Sequence, residues 1–185
     1  MNLCDWSSDV CSSDHGCTFK TWGNEDDTEI WVAMCKEGIL APDADCGEWE
    51  RLILADTRIR PERDVFFIEL NGKPAATITG VIDEESHTGT VHMVDSFPWA
   101  RGRGLGSYML DLVLRHLISH GMEWIQLTTD DWRIPAIRSY LRCGFVPVNV
   151  DTDMEERWTK VLETIGARNV EMRNPDRSLY KMLRP

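Results

Sequence analysis

The chain has 185 residues, enough for one domain of ordinary size with a full hydrophobic core. Its composition, 42% hydrophobic and 28% charged, is that of a folded water-soluble protein, and its formal net charge is −11. A surface this acidic repels phosphate backbones and anionic lipid, which argues against a nucleic-acid partner, and no stretch approaches the ~18–20 consecutive apolar residues that a membrane span needs.

The N-terminal segment repeats Ser-Ser-Asp at residues 7–9 and 12–14 and has neither helical nor strand periodicity. It is similar to translated adapter scars, so we expect residues 1–14 to be a disordered tail that is not native and residues 15–185 to form a single domain. The same segment lacks the apolar centre of a signal peptide, and the expected location is therefore cytoplasmic.

The first half of the chain predicts two helices and then a strand meander. Apolar residues at strand or helix spacing mark a strand at 17–22, helices at 26–36 and 48–55, and strands at 65–70, 75–82 and 90–97. Asn71-Gly72, between two of these strands, is a strong signal for a type I′ turn. The last three strands should therefore form an antiparallel meander.

The second half alternates helices and strands. The predicted elements are a helix at 105–120, a strand at 123–129, a helix at 135–142, a strand at 145–150 and a helix at 154–165; the last 20 residues are ambiguous. A meander followed by βαβ units predicts an α/β fold with α+β character. We expect a mixed, mostly antiparallel sheet flanked by helices on both faces.

A glycine-rich loop at residues 101–106 joins the meander to the following helix. Amides at a helix N-terminus lack intrahelical partners and carry the positive end of the dipole, and glycines let a phosphate approach closely. Arg101 and Arg103 add charged donors. This chemistry predicts a pyrophosphate site. A P-loop would need a lysine after the glycines, and a dinucleotide fingerprint would need a preceding parallel strand, so neither alternative fits.

Two sequence blocks resemble those of one family. Arg101-Gly102-Arg103-Gly104-Leu105-Gly106 is similar to the acyl-CoA signature R/Q-x-x-G-x-G/A of the GNAT superfamily, and Ser96-Phe97-Pro98 stands where the family has a hydrophobic-x-Pro approach. The block at 127–145 resembles the family's L…N-x-x-A-x-x-x-Y-x-x-x-G-F segment, which it matches at Ala136, Tyr140, Gly144 and Phe145. The resemblance covers about residues 17–150 and implies that residues 15–185 are an acyl-CoA-dependent N-acyltransferase domain.

The resemblance also implies a co-substrate and the residues that bind it. Acetyl-CoA would place its pantetheine arm on the backbone at the end of the fourth strand and its pyrophosphate on the loop amides, with no metal required. Arg133 stands where the family often has Asn; it could reach a CoA phosphate, bind an acidic acceptor, or be a solvated residue at a helix start. The cofactor-binding residues implied are Val94, Asp95, Ser96, Arg101, Gly102, Arg103, Gly104, Leu105, Gly106, Ser107 and Arg133.

The acid and the base of the family reaction are not equally well marked. By resemblance Tyr140 is the general acid, with a core aromatic as the alternative. The glutamate base of some relatives falls at Thr128, which cannot serve. Asp95 is the candidate base; a water relay and the side chains of His92, Asp130 and Asp131 are the alternatives. On a regular strand His92 and Asp95 point to opposite sides, so we expect only one of them to face the cleft.

The predicted function is transfer of an acetyl group from acetyl-CoA to a small-molecule or peptide amine by direct attack. The acidic surface would attract a cationic acceptor. An acyl-CoA-binding module without catalysis is the alternative, favoured by the missing glutamate at Thr128, and an acidic interaction domain with a degenerate loop is a third. We expect no nucleic-acid or membrane partner, and a homodimer stays open.

Overall fold

The structure is a computed structural model that describes residues 16–185, so the tail predicted at residues 1–14 lies outside the described residues. The described chain divides into two compact units. The first reaches from Gly16 to Leu127, and the second is Thr128–Pro185.

The first unit is built on a five-stranded sheet in the order β1-β2-β3-β4-β5. Neighbouring strands are antiparallel except β4 and β5, which are parallel, so the predicted mixed, mostly antiparallel sheet is confirmed. The elements are β1 (Cys17–Thr21), α1 (Glu25–Cys35), α2 (Gly47–Trp49), α3 (Pro61–Asp64), β2 (Val65–Leu70), β3 (Lys73–Asp83), β4 (Thr88–Ser96), α4 (Leu105–Ser119) and β5 (Trp124–Gln126). Helix α2 continues directly into a π-helical turn at Glu50–Leu54.

The hairpin between β2 and β3 forms as the sequence predicts. Asn71 and Gly72 both have positive φ values, 52° and 73°, which is what a type I′ turn requires of its two central residues. Lys73 pairs with Leu70 directly after the turn, and this fixes the register of the central strands.

Helices cover both faces of the sheet, as predicted. On one face, Trp31 of α1 and Ile53 of the π-helical turn share a buried apolar cluster with Phe67. On the other face, α4 approaches closely at two glycines: a Cβ on Gly80 would lie 3.1 Å from Val113, and one on Gly89 would lie 3.0 Å from Leu117. A Cβ at either position would require the Val113 or Leu117 side chain to shift.

Strand β4 contains a β-bulge that the sequence did not predict. The register with β3 shifts between Thr77 and Thr79, so that Met93 and Val94 of β4 together face the single residue Ile78. Met93 has a φ of 49°, in the left-handed region that non-glycine residues rarely adopt. A bulge of this kind places an extra residue in one strand and reverses the alternation of side chains beyond it.

The second unit contains two helices and a hairpin around a small core of Leu162, Met172 and Leu183. Its elements are α5 (Ile134–Arg142), α6 (Met154–Ile165), β6 (Val170–Arg173) and β7 (Leu179–Leu183). Both predicted helices are confirmed, and the ambiguous tail is the β6–β7 hairpin.

Two strand predictions need correction. The strand predicted at 145–150 is absent; Val148 makes only an isolated bridge to Arg173. Pro147 stands in the middle of that segment and cannot donate a ladder hydrogen bond, which interrupts a strand. The strand predicted at 123–129 is shortened to Trp124–Gln126, so Thr128 and Thr129 follow the strand.

A buried carboxylate joins α3 to α4. The Asp64 side chain accepts hydrogen bonds from Arg60 N (2.7 Å) and from Arg63 Nε (2.7 Å) and Nη2 (2.9 Å), and it lies 2.8 Å from His116 Nε2. Burial alone would raise the pKa of Asp64, but the hydrogen bonds from His116 and Arg63 outweigh it and hold the pKa below its usual value.

We expect Asp64→Asn to lower the free energy of unfolding by about 3 kcal/mol, because it leaves the buried partners of a charge without that charge. Since the folded pKa is depressed, the contribution of Asp64 is present above its unfolded pKa of about 4 and is lost as the pH falls through the folded value. Urea unfolding between neutral and acid pH should therefore give the variant a flatter pH dependence.

The matched control is Asp111→Asn, which removes the carboxylate of an exposed i,i+4 pair with Arg115 on α4. That change should cost less than about 1 kcal/mol. Equal stability of the two variants would show that the buried pair does not hold α3 on α4.

Candidate active site

The parallel ladder between strands β4 and β5 is short. They pair at only three positions, and the last pair is Thr90 with Gln126. Strand β4 continues to Ser96 along β3, so its other edge is open from Val91 to Val94. An open strand edge presents backbone donors and acceptors to an extended ligand in the way it would to another strand.

The glycine-rich loop presents a row of backbone donors. The five consecutive amides from Gly102 to Gly106 donate no hydrogen bond to any described part of the chain. Gly102 and Gly104 have φ values of 75° and 77°, and Gly104 caps α4 through its carbonyl, which accepts from Ser107 N at 3.2 Å. Unsatisfied amides at the positive end of a 15-residue helix fit a phosphate group.

The two arginines of the loop have different surroundings. Nη2 of Arg101 donates to the carbonyls of Ser96 (3.0 Å) and Glu37 (3.2 Å), and it lies 3.6 Å from Oδ1 of Asp95. Arg101 therefore ties the loop to the end of β4 and to the segment after α1. Arg103 is exposed and forms neither a hydrogen bond nor an ion pair with residues 16–185, so its charge is available to a ligand.

Asp95 lies where β4, the loop and the end of α1 meet. Its side chain is 8% exposed, and its Oδ1 accepts from Ser96 N at 2.7 Å. A Cβ on Gly38 would lie 3.0 Å from its Oδ2, so only glycine fits there without displacing the carboxylate. Burial, with the nearby charge of Asp95, raises the pKa of the Cys35 thiol, which keeps that thiol protonated and unsuited to nucleophilic attack.

The bulge brings His92 and Asp95 to the same face of the sheet. In the register, His92 faces Thr79 and Asp95 faces Thr77. Thr77 and Thr79 are two residues apart on β3 and share a face, so their cross-strand partners share it too. The expectation that His92 and Asp95 point to opposite sides is therefore wrong, because the extra residue of the bulge reverses the alternation.

His92 is half-buried beside the π-helical turn, and its ring hydrogen-bonds to the backbone of Leu52. Burial lowers the pKa of His92, assisted by the charge of Arg58 and opposed by the Leu52 carbonyl and by Asp56. The imidazole is consequently neutral near pH 7 and can accept a proton.

Two neighbouring threonines on β3 differ in how their hydroxyls are satisfied. Both side chains are fully buried on the face that His92 shares. Thr77 Oγ1 donates to the Phe66 carbonyl at 3.0 Å, whereas Thr79 Oγ1 has no hydrogen-bond partner in residues 16–185. A buried hydroxyl without a partner costs stability, which marks Thr79 for a functional explanation.

In the second unit, Tyr140 lies on α5 and is half-buried. Its ring packs edge-on against Phe145, with 6.1 Å between centroids, and its carbonyl accepts from Phe145 N at 3.1 Å. Packing of this kind fixes the orientation of the Tyr140 ring. The role of its hydroxyl depends on how a substrate binds.

The other polar candidates of the second unit pair with one another. Nε of Arg133 donates to Asp130 Oδ2 at 2.9 Å, and its guanidinium lies 4.5 Å from the ring centroid of Trp132. Arg157 holds both oxygens of Asp131, at 2.8 and 2.9 Å, and these bonds lower the pKa of that carboxyl. The lowered pKa makes Asp131 a weaker proton acceptor, which disfavours it as the base.

Sequence reasoning missed two features of this region, the bulge at Met93 and the unsatisfied hydroxyl of Thr79. Nothing in the local sequence of β4 marks a bulge, since methionine is an unusual residue at a positive φ. A threonine in a strand is likewise ordinary until its neighbours are known. Within residues 16–185, no group of three or more His, Cys, Asp or Glu side chains could hold a metal ion, and no helix is long and apolar enough to cross a membrane.

Comparisons with known proteins agree with this geometry. A mycothiol acetyltransferase of Frankia casuarinae is 28% identical over 144 residues, which cover 71% of this chain and 42% of that protein. The chain spans less than half the length of the curated relatives it matches. A predicted acetyltransferase from Clostridium acetobutylicum solved with acetyl-CoA has a TM-score of 0.54 at 18% identity, covering 74% of this chain and 92% of that one.

A second solved structure shares the fold. Glucosamine-6-phosphate N-acetyltransferase from Arabidopsis thaliana has a TM-score of 0.54 at 16% identity, covering 74% of this chain and 95% of that one. The sequence profile described as "Acetyltransferase (GNAT) family" matches residues 16–145, well over half of the chain. The family predicted from the sequence is confirmed: this chain belongs to the GNAT acetyltransferase family.

Proposed function

We propose that this chain transfers an acetyl group from acetyl-CoA to an amine by direct attack of the amine on the thioester. The observation that carries the proposal is the row of five loop amides, Gly102 to Gly106, which donate no hydrogen bond within the described chain. They stand at the start of α4, and the chain reaches them from the open edge of β4. An anion cradle that follows an open strand edge suits a long ligand with a pyrophosphate and an amide-containing arm.

The loop and β4 would share the binding of acetyl-CoA. The amides of Gly102 to Ser107 would hold the pyrophosphate, with Arg103 as an additional cation, while Arg101 keeps the loop attached to β4. The backbone of Val94, Asp95 and Ser96 would receive the pantetheine arm. Leu105 is buried at the start of α4 and anchors the C-terminal end of the loop. Arg133 is a proposed phosphate ligand that would exchange its bond to Asp130 for one to the phosphate.

The chain's residues have two proton transfers to perform. One residue must accept the proton of the attacking amine, and another must give a proton to the leaving thiolate. We assign the second role to Tyr140, as the family resemblance implies. A phenol has an unperturbed pKa of about 10 and a thiol one of about 8.5, so the transfer needs only a modest shift when the two groups are in contact.

The acceptor is proposed to be a cationic small-molecule or peptide amine. The segment 36–50, from the end of α1 to the first residue of the π-helical turn, contains five carboxylates and one lysine: Glu37, Asp43, Asp45, Glu48, Glu50 and Lys36. A negative segment of this kind raises the local concentration of amines, which are protonated in solution. Release of CoA thiol from acetyl-CoA in the presence of a panel of amines tests the proposal. The panel should include polyamines, peptide amines, aminoglycosides and the substrate of mycothiol acetyltransferases.

An acyl-CoA-binding module without catalysis is the second candidate, and Thr128 favours it because a threonine stands where some relatives carry a glutamate base. Both candidates bind acetyl-CoA and should show thermal stabilisation by it. Ligand at about 100 times its Kd stabilises the folded state by roughly 2.7 kcal/mol. Only the enzyme releases thiol with an amine, so turnover separates the two.

We expect Gly104→Glu to abolish stabilisation by acetyl-CoA, because it places a carboxylate among the amides that would hold the pyrophosphate. Thermal unfolding with and without acetyl-CoA measures this. The matched control is Gly121→Glu, since Gly121 also has a positive φ, 81°, and follows the other end of α4. The control should bear the same backbone strain and keep the ligand-induced shift in unfolding temperature. Loss of that shift in both variants, or in neither, would refute the proposal that the loop amides hold the pyrophosphate.

We expect Tyr140→Phe to lower kcat by about 100-fold while leaving the affinity for acetyl-CoA within a few-fold, because only the proton donor is removed. Steady-state kinetics and the acetyl-CoA thermal shift separate the two effects. Tyr180→Phe is the control, since Tyr180 is exposed on β7 and its hydroxyl donates to Glu155 at 3.1 Å. A Tyr140→Phe variant as fast as Tyr180→Phe would remove Tyr140 from the mechanism.

A further inference from the structure

We propose that His92 is the general base of the reaction and that the hydroxyl of Thr79 orients the group whose proton it takes. This inference rests on the proposed function, and it replaces Asp95, the base suggested by sequence, with a residue on the same face. Four observations carry it: the position of His92 on β4, the engagement of the competing carboxylates, the closeness of the imidazole to the Leu52 backbone, and the unsatisfied hydroxyl opposite it.

His92 stands at the point where β4 and β5 separate. Thr90 is the last residue of β4 that pairs with β5, and the bulge begins at Met93. Between them, His92 directs its side chain to the face covered by α1 and the π-helical turn. A base at this position would lie at the start of the open edge, beside the backbone proposed to receive the thioester arm.

The competing carboxylate on this face has a structural task. Asp95 accepts from Ser96 N, lies 3.6 Å from Arg101 and sits against Gly38, so it holds three segments together. Asp95 is thus engaged in organising the site, which leaves the role of base to the other candidate on this face.

The surroundings of His92 prepare one ring nitrogen to accept a proton. Leu52 belongs to the last turn of the π-helical segment, where carbonyls lack helical partners, and its carbonyl bonds to the imidazole. An imidazole that donates one N–H to a carbonyl carries its lone pair on the other nitrogen. The charged groups that face the ring are Asp56 and Arg58, which form an ion pair of 2.7 Å with each other. Since that pair is close to neutral, burial decides the charge of the ring and keeps it uncharged.

Thr79 supplies an independent observation. It lies directly opposite His92 across the β3–β4 ladder, and side chains at such positions have Cβ atoms about 5 Å apart. Its hydroxyl is buried and lacks a partner within residues 16–185, while the hydroxyl of Thr77, two residues away, is fully engaged. A polar atom left unsatisfied beside a candidate base is available to an attacking amine or to a water that relays its proton.

The step balances without any further reactant. The lone pair of the neutral amine forms a bond to the thioester carbonyl carbon, and the C–S bond breaks with its electron pair passing to sulfur. The proton lost by the amine nitrogen goes to the unprotonated ring nitrogen of His92, directly or through one water. The thiolate takes a proton from the general acid and leaves as CoA.

The test is His92→Gln, compared with His120→Gln at the exposed C-terminal end of α4. With acetyl-CoA and a weakly basic aromatic amine, which stays uncharged across the range studied, we expect His92→Gln to lower kcat by at least about 100-fold near neutral pH. Burial lowers the pKa of His92, so wild type should lose activity at a pH below the ordinary imidazole range, as His92 becomes protonated, and His92→Gln should lose this dependence. His120→Gln should match wild type in both respects.

The outcomes separate this inference from the proposed function. No thiol release by wild type with any amine would refute the proposed function before His92 is tested. Turnover by wild type together with an unchanged rate and pH profile in His92→Gln would overturn the inference alone. An acetyl-CoA thermal shift in His92→Gln equal to that of wild type shows that the variant is folded and binds. Asp95→Asn should weaken that shift and keep the acid limb of the profile; loss of the limb would restore Asp95 as the base.

A pair of matched threonine variants tests the second half of the inference. Thr79→Val removes an unsatisfied hydroxyl, so it should leave stability unchanged or higher and lower kcat by about 10-fold. Thr77→Val removes a satisfied hydroxyl, so it should cost about 1 kcal/mol of stability and leave kcat near wild type. Full activity in Thr79→Val would show that the hydroxyl orients nothing in the reaction.

Discussion

The early end of the β4–β5 ladder is the constraint on which the rest of the site depends. Three residue pairs hold the parallel strands together, and β4 then continues along β3 alone. Backbone groups on an open strand edge need partners, and here the fold leaves them facing away from the sheet. One 3₁₀ turn, Pro98–Ala100, separates the end of this strand from the glycine-rich loop, so the unsatisfied edge and the unsatisfied amides belong to one stretch of chain.

The side chain of Arg101 holds the glycine-rich loop to the end of β4. Arg101 bonds to the carbonyls of Ser96 and Glu37 and lies close to Asp95. Arg101, the arginine of the family signature, therefore braces the chain through these contacts although its side chain is half exposed, while Arg103 is exposed and pairs with no residue of 16–185. This division explains why two arginines two residues apart need not have the same function, since one faces carbonyls and the other faces water.

Two features around the bulge lower the stability of the folded chain. Met93 adopts a positive φ, and the buried hydroxyl of Thr79 has no partner within residues 16–185. Each feature costs free energy, and each lies next to His92 at the mouth of the open edge. Strain and unsatisfied polar groups cluster where a site is organised for a ligand. The pair of Asp64 and His116, on the face covered by α4, uses the same residue types in a contact whose carboxylate oxygens are both hydrogen-bonded.

The sequence alone determined the features that depend on near neighbours. Asn71-Gly72 specified its turn because both residues tolerate positive φ, helix α6 was predicted at its observed bounds from apolar spacing, and residues 101–106 predicted an anion site because glycines and a helix start occur together. Tertiary structure decided which side chains share a face: a bulge arises from the pairing of two strands, and it placed His92 beside Asp95 against the period of the sequence. Tertiary structure also decided that the Thr77 hydroxyl bonds to the Phe66 carbonyl while the Thr79 hydroxyl has no partner within residues 16–185. A hydrogen bond between strands depends on residues that only folding brings together.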